Sequence, residues 1–323
     1  MVKPQRSVYR YSTMSDPAIT DLPVVTSPVA QPRPMFGIFL RLAAMATLGV
    51  MFAFVKLAHQ NDIHLVETLF WRQLAGLPVV IVWLWWLGRL HDIRTTQPLA
   101  HGLRSILGLI SMALNFSAMM MLPMAEATTI SFATPVFATM LAALLLGEPT
   151  GRYRWGAIAL GFVGVMLAVQ PHLIGTHGVG PWVALAGAML TACVLIQIRR
   201  MSQTENPGAI VFWFSLSSLL PLGILMPFFA KAHDVMGWLI IAGLALSGAV
   251  AQLLLTSAMR HASVAAIATM DYTGLIWSIL FGYIVFDQLP GAGTWLGAPV
   301  IIAAGMIIMW REHYLARQRL ITV

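Results

Sequence analysis

The sequence predicts an all-α polytopic membrane protein with ten transmembrane helices, arranged as two inverted five-helix repeats. Three observations lead to this fold class: a strongly apolar composition, ten apolar segments of membrane-spanning length, and an internal repeat. Of the 323 residues, 59% are hydrophobic and only 10% are charged, and the mean hydropathy is +0.80. Soluble domains carry about 25% charged residues, so most of this surface must face lipid.

Ten segments are long enough to cross a bilayer. A spanning helix needs about 20 predominantly apolar residues, and the connections between these segments are too short to hold a soluble domain. The predicted spans cover residues 36–58, 66–88, 102–121, 124–146, 154–170, 180–198, 208–229, 236–258, 263–286 and 294–311.

The second half of the chain repeats a pattern of the first half. Leu122–Val169 and His261–Met309 each contain an apolar run that is interrupted near its centre, by Pro135 in the first copy and by Gly274 in the second. Such repeats are typical of duplicated membrane proteins. Because five spans per repeat is an odd number, the second repeat must enter the membrane from the opposite side. Inverted repeats allow inward-open and outward-open states to interconvert when the two halves exchange conformations.

The basic residues set the orientation of the spans. With a cytoplasmic N-terminus, only Lys56 and Lys231 of the 19 Lys and Arg residues fall on the outer side, and Arg72 falls inside a span. All the others are cytoplasmic, as the positive-inside rule requires. This distribution predicts that both termini are cytoplasmic, and it explains the net charge of +7 without a nucleic-acid partner.

Two segments flank the predicted membrane part. Residues 1–34 are rich in proline and contain no apolar run, whereas a secretory signal needs an apolar core of about 7–15 residues. We therefore expect a disordered cytosolic tail at residues 1–34 and a cytosolic C-terminal tail at residues 312–323.

Several motifs resemble those of the EamA-type transporters of the drug/metabolite transporter superfamily. They are ETLFWRQLAG at Glu67–Gly76, the segment Arg104–Pro149 with its LPMAEATTISFATP and GEP motifs, and a glycine-rich fifth span. The resemblance implies EamA-like five-helix repeats at residues 36–170 and 178–311. It also implies a secondary-active transporter of the bacterial inner membrane, working by alternating access. The implied substrate is a small organic metabolite, such as an amino acid, a vitamin or a nucleotide-like compound.

Asp271 is the sharpest candidate for a functional residue. It lies about eight residues into the ninth predicted span, or about 12 Å along a helix, where an ionised carboxylate is costly and is usually kept for function. The first repeat has Phe132 at the equivalent position. We expect Asp271 either to bind a cationic group of the substrate or to accept a coupling proton. A hydrogen bond between helices is the structural alternative.

Three charged residues lie toward the outer ends of predicted spans. Arg72 falls inside the second span, where its side chain could extend outward, contact an anionic substrate, or pair with Glu67 or Glu126. Such an ion pair would be a structural contact or an outer gate. Glu126 also begins the fourth span, where the helix dipole favours a negative charge.

Polar residues deep in the spans are the remaining pathway candidates. Pro135 removes the hydrogen bond to the carbonyl of Ser131 and frees an acceptor at mid-membrane, and Thr134 lies beside it. A bend that only serves packing is the alternative role for this proline. Three more deep side chains are candidates, with packing between helices as the alternative: Asn115, Gln252 and Trp277.

Other functional classes have motifs that this sequence lacks. It contains no H-E-x-x-H zinc motif, no Walker A motif and no G-x-S-x-G nucleophile motif, so neither an intramembrane enzyme nor an ATP-driven pump is expected. We also expect no cofactor and no metal. A non-transporting scaffold or receptor subunit is the alternative to a transporter. The expected partners are the lipid bilayer, a small-molecule substrate and a coupling proton, and the protein is a monomer or a homodimer.

Overall fold

The computed structural model describes residues 34–86, 88–146, 151–169, 178–202, 204–261 and 269–321, and long apolar helices make up most of these residues. The predicted N-terminal tail lies outside the described residues except for Pro34. The helices are α1 (Pro34–Gln60), α2 (Leu65–Trp86), α3 (Pro98–Met121), α4 (Met124–Ser131), α5 (Thr134–Leu146), α6 (Arg152–Val169), α7 (Gly180–Met201), α8 (Pro207–Phe229), α9 (Val235–His261), α10 (Gly274–Phe286) and α11 (Ala292–Ile321).

The helices confirm the prediction of an all-α polytopic membrane protein. Within the described ranges, nine stretches are long and apolar enough to cross a membrane, and α4 and α5 together form one of them. A tenth, shorter apolar stretch covers Asp271–Phe286. It corresponds to the predicted span at residues 263–286, of which the structure describes residues 269–286. Helix α11 continues to Ile321, so most of the segment predicted as a C-terminal tail is helical.

Local sequence explains where several helices begin. Pro98, Pro181 and Pro207 occupy the first turns of α3, α7 and α8, where the missing amide hydrogen costs nothing because those positions have no acceptor within the helix. Side chains such as Trp86 and Phe228 are exposed by 81% and 78%. This exposure fits a bundle whose outer surface meets lipid, where only helices satisfy every backbone hydrogen bond within one segment.

Helices of the first half pack mainly against helices of the second half. Helix α1 packs along α9, α3 along α7, α2 along α8 and α6 along α11. By their order in each half, α1 corresponds to α7, α2 to α8, α3 to α9 and α6 to α11. If each helix is exchanged with its counterpart, the α1–α9 contact becomes the α7–α3 contact, which is also present. The same exchange leaves the α2–α8 and α6–α11 contacts unchanged. The pairing of helices therefore has the pattern of a two-fold repeat.

Glycines allow α6 and α11 to approach each other closely. A Cβ atom at Gly164 would lie 2.8 Å from the backbone nitrogen of Ile301, and one at Gly297 would lie 2.7 Å from the backbone nitrogen of Ala168. Small residues permit such backbone contact between membrane helices. Since the obstructing atoms belong to the backbone, no larger residue fits at either position without separating the helices.

The fourth and ninth spans carry irregular segments near their centres. Helix α4 ends at Ser131 and α5 begins at Thr134, while a 3-10 turn at Asp271–Thr273 immediately precedes α10. The two irregular segments touch, because the rings of Phe132 and Tyr272 meet edge to face with 5.1 Å between their centroids. Pro135 explains the first interruption, since a proline in the first turn of α5 cannot donate a backbone hydrogen bond to the preceding helix.

Candidate functional site

A cavity of about 320 Å³ lies between helices of the two halves. Its walls come from α1, α2 and α3 of the first half and from α7, α8 and α9 of the second. Within the described part of the chain, the lining includes no residue of α4, α5, α6, α10 or α11, and no Asp or Glu. The lining residues are Leu48, Met51, Phe52, Arg72, Gln73, Gly76, Val80, Arg104, Gly108, Ser111, Met112, Asn115, Phe116, Thr191, Val194, Val211, Phe214, Ser215, Gly248 and Gln252.

Arg72 brings a guanidinium group into the cavity from α2. Its Nη1 donates hydrogen bonds to Oε1 of Gln73 at 2.6 Å and to Sδ of Met112 at 3.0 Å, whereas Nε has no partner among the described residues. Gly248 makes room for the side chain, because a Cβ there would lie 3.3 Å from Cγ of Arg72. Both acceptors are uncharged. No carboxylate in the described structure therefore balances the charge of Arg72.

Arg104 brings a second guanidinium group into the cavity from α3. Its Cζ lies 4.4 Å from the centroid of the Phe214 ring, a cation–π contact. Nε and Nη1 have no hydrogen-bond partner in the part of the chain that the structure covers. A Cβ at Gly108 would collide with Nη1 of Arg104 and lie 2.7 Å from Cε2 of Phe214. Gly108 is therefore required for this position of the arginine.

Neutral polar side chains form another wall of the cavity. Nδ2 of Asn115 donates to the backbone oxygen of Ser111 at 2.7 Å and to Oγ1 of Thr191 at 3.1 Å, and the Ser111 and Thr191 hydroxyls are 2.7 Å apart. Asn115 thus joins α3 to α7 and also lines the cavity. Gln252 lines the cavity from α9. The structure therefore brings Arg72, Asn115 and Gln252 together, three of the candidates named from the sequence.

Asp271 lies elsewhere, in a salt bridge with Arg41 of α1. The contact is bidentate: Nε of Arg41 is 2.5 Å from Oδ1 of Asp271, and Nη2 is 2.7 Å from Oδ2. The side chain of Arg41 is 11% exposed and that of Asp271 is 38% exposed. Charge-assisted pairs of this geometry are the stronger kind. The salt bridge ties the 3-10 turn before α10 to the beginning of α1, outside the cavity lining.

The polar residues around Pro135 satisfy the interrupted helix instead of lining the cavity. Oγ1 of Thr134 donates to the carbonyl oxygen of Ser131 at 2.7 Å, the acceptor that Pro135 frees. Oγ of Ser131 in turn donates to the carbonyl oxygen of Thr128 at 2.7 Å. These hydroxyl groups replace backbone donors, and therefore the interruption leaves no open acceptor at this carbonyl.

Trp277 and Glu126 also lie outside the cavity lining. Trp277 packs against α1, where a Cβ at Gly49 would lie 2.9 Å from Cβ of Trp277. Glu126 is buried near the start of α4 and interacts electrostatically with Lys56. The ammonium group of Lys56 donates to the backbone oxygen of Leu122 at 2.5 Å. Both candidates therefore hold helices together in this structure.

Glu67 pairs with a histidine and not with Arg72, the ion pair that was one alternative from the sequence. Oε1 of Glu67 is 2.7 Å from Nε2 of His233, and their side chains are only 2% and 6% exposed. The helix geometry explains the difference. Arg72 follows Glu67 by five residues and so points about 140° away around α2. Glu67 faces the residues before α9, while Arg72 faces the cavity.

A second buried contact of the same kind joins Glu205 and His101. Oε2 of Glu205 is 3.5 Å from Nε2 of His101, and both side chains are 3% exposed. Glu205 precedes α8 and His101 lies in the first turn of α3, whereas the other pair joins the first turn of α2 to the residues before α9. The exchange that relates the helix contacts of the two halves therefore also relates the two Glu–His contacts.

Hydrogen bonds from the loop before α3 stabilise the charge of Glu205. Burial opposes the charged carboxylate, but the Thr96 amide at 3.0 Å and the hydroxyls of Thr95 and Thr96 at 3.0 and 3.1 Å donate to Oε1. Together with the nearby His101 ring, these donors hold the pKa of Glu205 below its ordinary value.

The sequence interpretation missed Arg104, Gln73 and Phe214 in the cavity. Arg104 counted as a cytoplasmic charge, although it lies inside the third predicted span at residues 102–121. A glycine one turn later, at Gly108, was the signal that an arginine side chain could lie along α3. Gln73 and Phe214 have no comparable signal, because buried glutamines and aromatic residues are common in helix packing.

A cavity with both polar and apolar walls, inside a bundle of membrane-spanning helices, defines a class of protein. The lining offers two cations, hydrogen-bonding amides and hydroxyls, and aromatic rings, a combination suited to holding a small organic molecule. Among the described residues, no group of three or more His, Cys, Asp or Glu could hold a metal ion. Fold and cavity together are those of a polytopic membrane transporter.

Comparison with known proteins gives the family. The chain belongs to the EamA-like transporter family, which matches residues 35–170 and 178–310, as the motifs predicted. It is 24% identical over 269 residues to the pseudopaline exporter CntI of Pseudomonas aeruginosa (strain UCBPP-PA14), covering 83% of this chain and 94% of that protein. It is 30% identical over 230 residues to a riboflavin transporter of Rhizobium johnstonii, covering 69% and 74%. A solved crystal structure with 17% identity shares the fold, with a TM-score of 0.57 over 87% of this chain and 99% of that one.

Proposed function

We propose that this protein moves a small organic metabolite across the bacterial inner membrane by alternating access, with the cavity as its substrate site. The observation that carries the proposal is the position of the cavity, which takes its walls from three helices of each half. A site shared between two halves can open to either side of the membrane when the halves rock against one another.

The pattern of helix contacts supports the two inverted repeats at residues 36–170 and 178–311. Each half contributes five spans to the sequence pattern, and exchanging the halves preserves the main contacts between helices. The distribution of Lys and Arg supports cytoplasmic N- and C-termini. In this orientation the Glu67–His233 contact lies at the outer face and the Glu205–His101 contact at the cytoplasmic face.

The size of the cavity and the relatives support a small organic substrate. A volume of about 320 Å³ lies at the lower end of the range for small-molecule sites, about 300–1,000 Å³. The named relatives include an exporter of pseudopaline and a transporter of riboflavin, which move cargo in the size range of metabolites. An amino acid, a vitamin or a nucleotide-like compound fits this description.

Transport can be tested without knowing the substrate. Purified protein is reconstituted into proteoliposomes loaded with a small-molecule extract of the host cells, and compounds that leave the vesicles are identified by mass spectrometry. We expect a small set of compounds to leave faster than from protein-free vesicles. If no compound leaves faster than from protein-free vesicles, the scaffold or receptor interpretation replaces the transporter.

A glycine in the cavity wall provides the matched variant. Gly76 lines the cavity, and among the described residues no atom lies within 4 Å of a Cβ added there, so the first carbon of a side chain fits and Gly76→Leu would extend into the cavity. Gly156 is equally open but lies on the exposed surface of α6, and Gly156→Leu is the control. We expect Gly76→Leu to abolish transport at an unchanged melting temperature, and Gly156→Leu to transport normally. Equal transport by both variants would place the substrate path elsewhere.

Coupling to protons through Asp271 is an additional proposal. Its support is a carboxylate in the interrupted ninth span, where protonation would release Arg41 and free the 3-10 turn from α1. The measurement is the initial rate of transport of an identified substrate with and without an imposed pH gradient. If the gradient accelerates the wild-type protein and Asp271→Asn equally, Asp271 does not carry the coupling proton.

A further inference from the structure

We propose that the substrate is a net-anionic metabolite whose carboxylate or phosphate group binds the guanidinium groups of Arg72 and Arg104. This inference rests on the proposed function, since it assigns the chemical class of the molecule that the cavity holds. It is carried by the chemistry of the cavity wall, where two cations occur and the described lining residues include no carboxylate to balance them.

Neither arginine uses all of its hydrogen-bond donors within the described ranges. Arg72 has two uncharged acceptors, and its Nε has no partner within the described ranges. Nε and Nη1 of Arg104 likewise have no acceptor among the described residues, and its guanidinium group contacts the ring of Phe214. A guanidinium group has five N–H donors, so each arginine retains donors for a ligand.

The charge of the two arginines also favours an anionic ligand. A cation inside the membrane is costly unless it faces a partner or a water-filled cavity, and Arg41 shows the usual solution in its bidentate pair with Asp271. Arg72 and Arg104 have no such carboxylate among the described lining residues. A bound anion would supply the missing charge, whereas a cationic ligand would add a third positive charge to the same small space.

The planar shape of the guanidinium group also favours an anion that presents two oxygens. The planar guanidinium fork matches the two oxygens of a carboxylate or phosphate group, and the attraction is stronger where water is scarce. Gln73, which is 2% exposed, accepts a hydrogen bond from Arg72 at its Oε1, while its Nε2 has no acceptor in the described part of the chain. This amide adds a neutral donor beside Arg72.

The apolar lining accounts for the rest of the ligand. The rings of Phe52, Phe116 and Phe214 lie in the walls of the cavity, and Phe214 already contacts the guanidinium group of Arg104. Flat apolar groups pack well on such rings. The cavity therefore fits an organic anion with an apolar or aromatic portion better than a bare inorganic ion.

The first experiment sorts transported compounds by charge. The cell extract is separated on ion-exchange columns at pH 7 into anionic, neutral and cationic fractions, zwitterions being counted as neutral, and each fraction is loaded into proteoliposomes. We expect the exported compounds to come from the anionic fraction. Export only from the neutral or cationic fraction overturns this inference while leaving the proposed transport intact. No export from any fraction defeats the proposed function itself.

The second experiment tests the arginines with an anion identified in the first. Arg104→Gln and Arg72→Gln should each raise the KM for that anion about tenfold or more, since each removes charge-assisted hydrogen bonds. Arg104→Lys should recover part of the loss because it restores the charge without the planar fork. Arg152→Gln, at the exposed start of α6, is the control. Variants that only lower the melting temperature and keep the wild-type KM would show that the arginines serve packing.

Discussion

The arginine side chains of the bundle occur in two contrasting environments. Arg41 meets Asp271 in a bidentate salt bridge between α1 and the 3-10 turn before α10. Arg72 and Arg104 instead line the cavity beside amides, a thioether and a phenyl ring, with no carboxylate among the described residues around them. The same residue type thus has a carboxylate partner between α1 and the 3-10 turn, and none among the described residues in the cavity.

This contrast separates a structural charge from one that is available for binding. A bidentate pair uses both carboxylate oxygens and fixes both side chains, so it stabilises the contact between its two segments. An arginine in a cavity whose donors have no acceptor among the described residues can form hydrogen bonds and an ion pair with a ligand. The contrast also agrees with the segments that form each region, because the ion pair uses the 3-10 turn before α10, and no described residue of that turn or of α10 lines the cavity.

Reversing a cavity charge should produce the largest effect. Arg104→Glu removes donors from the anion and introduces repulsion in their place, so we expect transport of an anionic substrate to fall by about 100-fold or more. The measurement is the initial rate in proteoliposomes, normalised to folded protein. Wild-type rates with this variant would contradict an anion-binding role for Arg104.

Removing the structural pair should change stability more than substrate affinity. Asp271→Asn leaves Arg41 without its counter-charge, and the pair is neither fully buried nor fully exposed. We expect a loss of about 2 kcal/mol, between the roughly 0–1 of exposed pairs and the 3–5 of buried ones. The interaction energy of the pair follows from a double-mutant cycle. It compares the melting temperatures, in detergent, of Asp271→Asn, Arg41→Gln and the double variant with that of the wild type. Additive effects of the two single changes would show that the salt bridge contributes nothing.

Adding a methyl group beside Arg104 should have a smaller effect than reversing the charge of Arg104. Gly108→Ala would displace the guanidinium tip of Arg104 and the ring of Phe214, both ends of flexible side chains. We expect the KM for the anion to rise roughly three- to tenfold, as for a weakened charged hydrogen bond. Gly102→Ala on the same helix has open space around the new methyl group and should match wild type. Equal KM values for both variants would mean that the position of Arg104 is not important.

The smallest effect is expected outside the cavity lining, at Glu205. Its pKa is held below the ordinary value of 4.5, so its carboxylate stabilises the fold above that pH, and the contribution is lost as pH falls through the folded-state pKa. Glu205→Gln should therefore cost about 1 kcal/mol at pH 7, and the difference from wild type should shrink below pH 4.5. A difference in melting temperature that does not depend on pH would contradict this account.

The sequence was sufficient to predict the membrane helices but not the partners of their charges. Nine predicted spans have matching helices because the length of an apolar run is a local property of the chain. The interruption of the fourth span is also a local property, because Pro135 within that span explains it. The pairing of Arg41 with Asp271 joins residues 230 positions apart, and no local pattern specifies which helices meet at that depth.

The cavity was predicted only in part, for a related reason. Arg72, Asn115 and Gln252 were found as polar residues deep in spans. Arg104 was assigned to the cytoplasmic side because it lies near a helix end, where an arginine usually points toward water. Its inward direction depends on Gly108 and Phe214, and the contact with Phe214 forms only when α3 packs against α8.

The absence of α6 and α11 from the described cavity walls has an evolutionary consequence. Gly164 and Gly297 hold these two helices at backbone contact, so their sequences can vary little without separating them. The cavity is built on six other helices, whose inward side chains can change without affecting that contact. New cargo specificities can therefore arise on α1–α3 and α7–α9 while the α6–α11 pair is retained, which offers a physical reason why one family includes transporters named for cargo as different as pseudopaline and riboflavin.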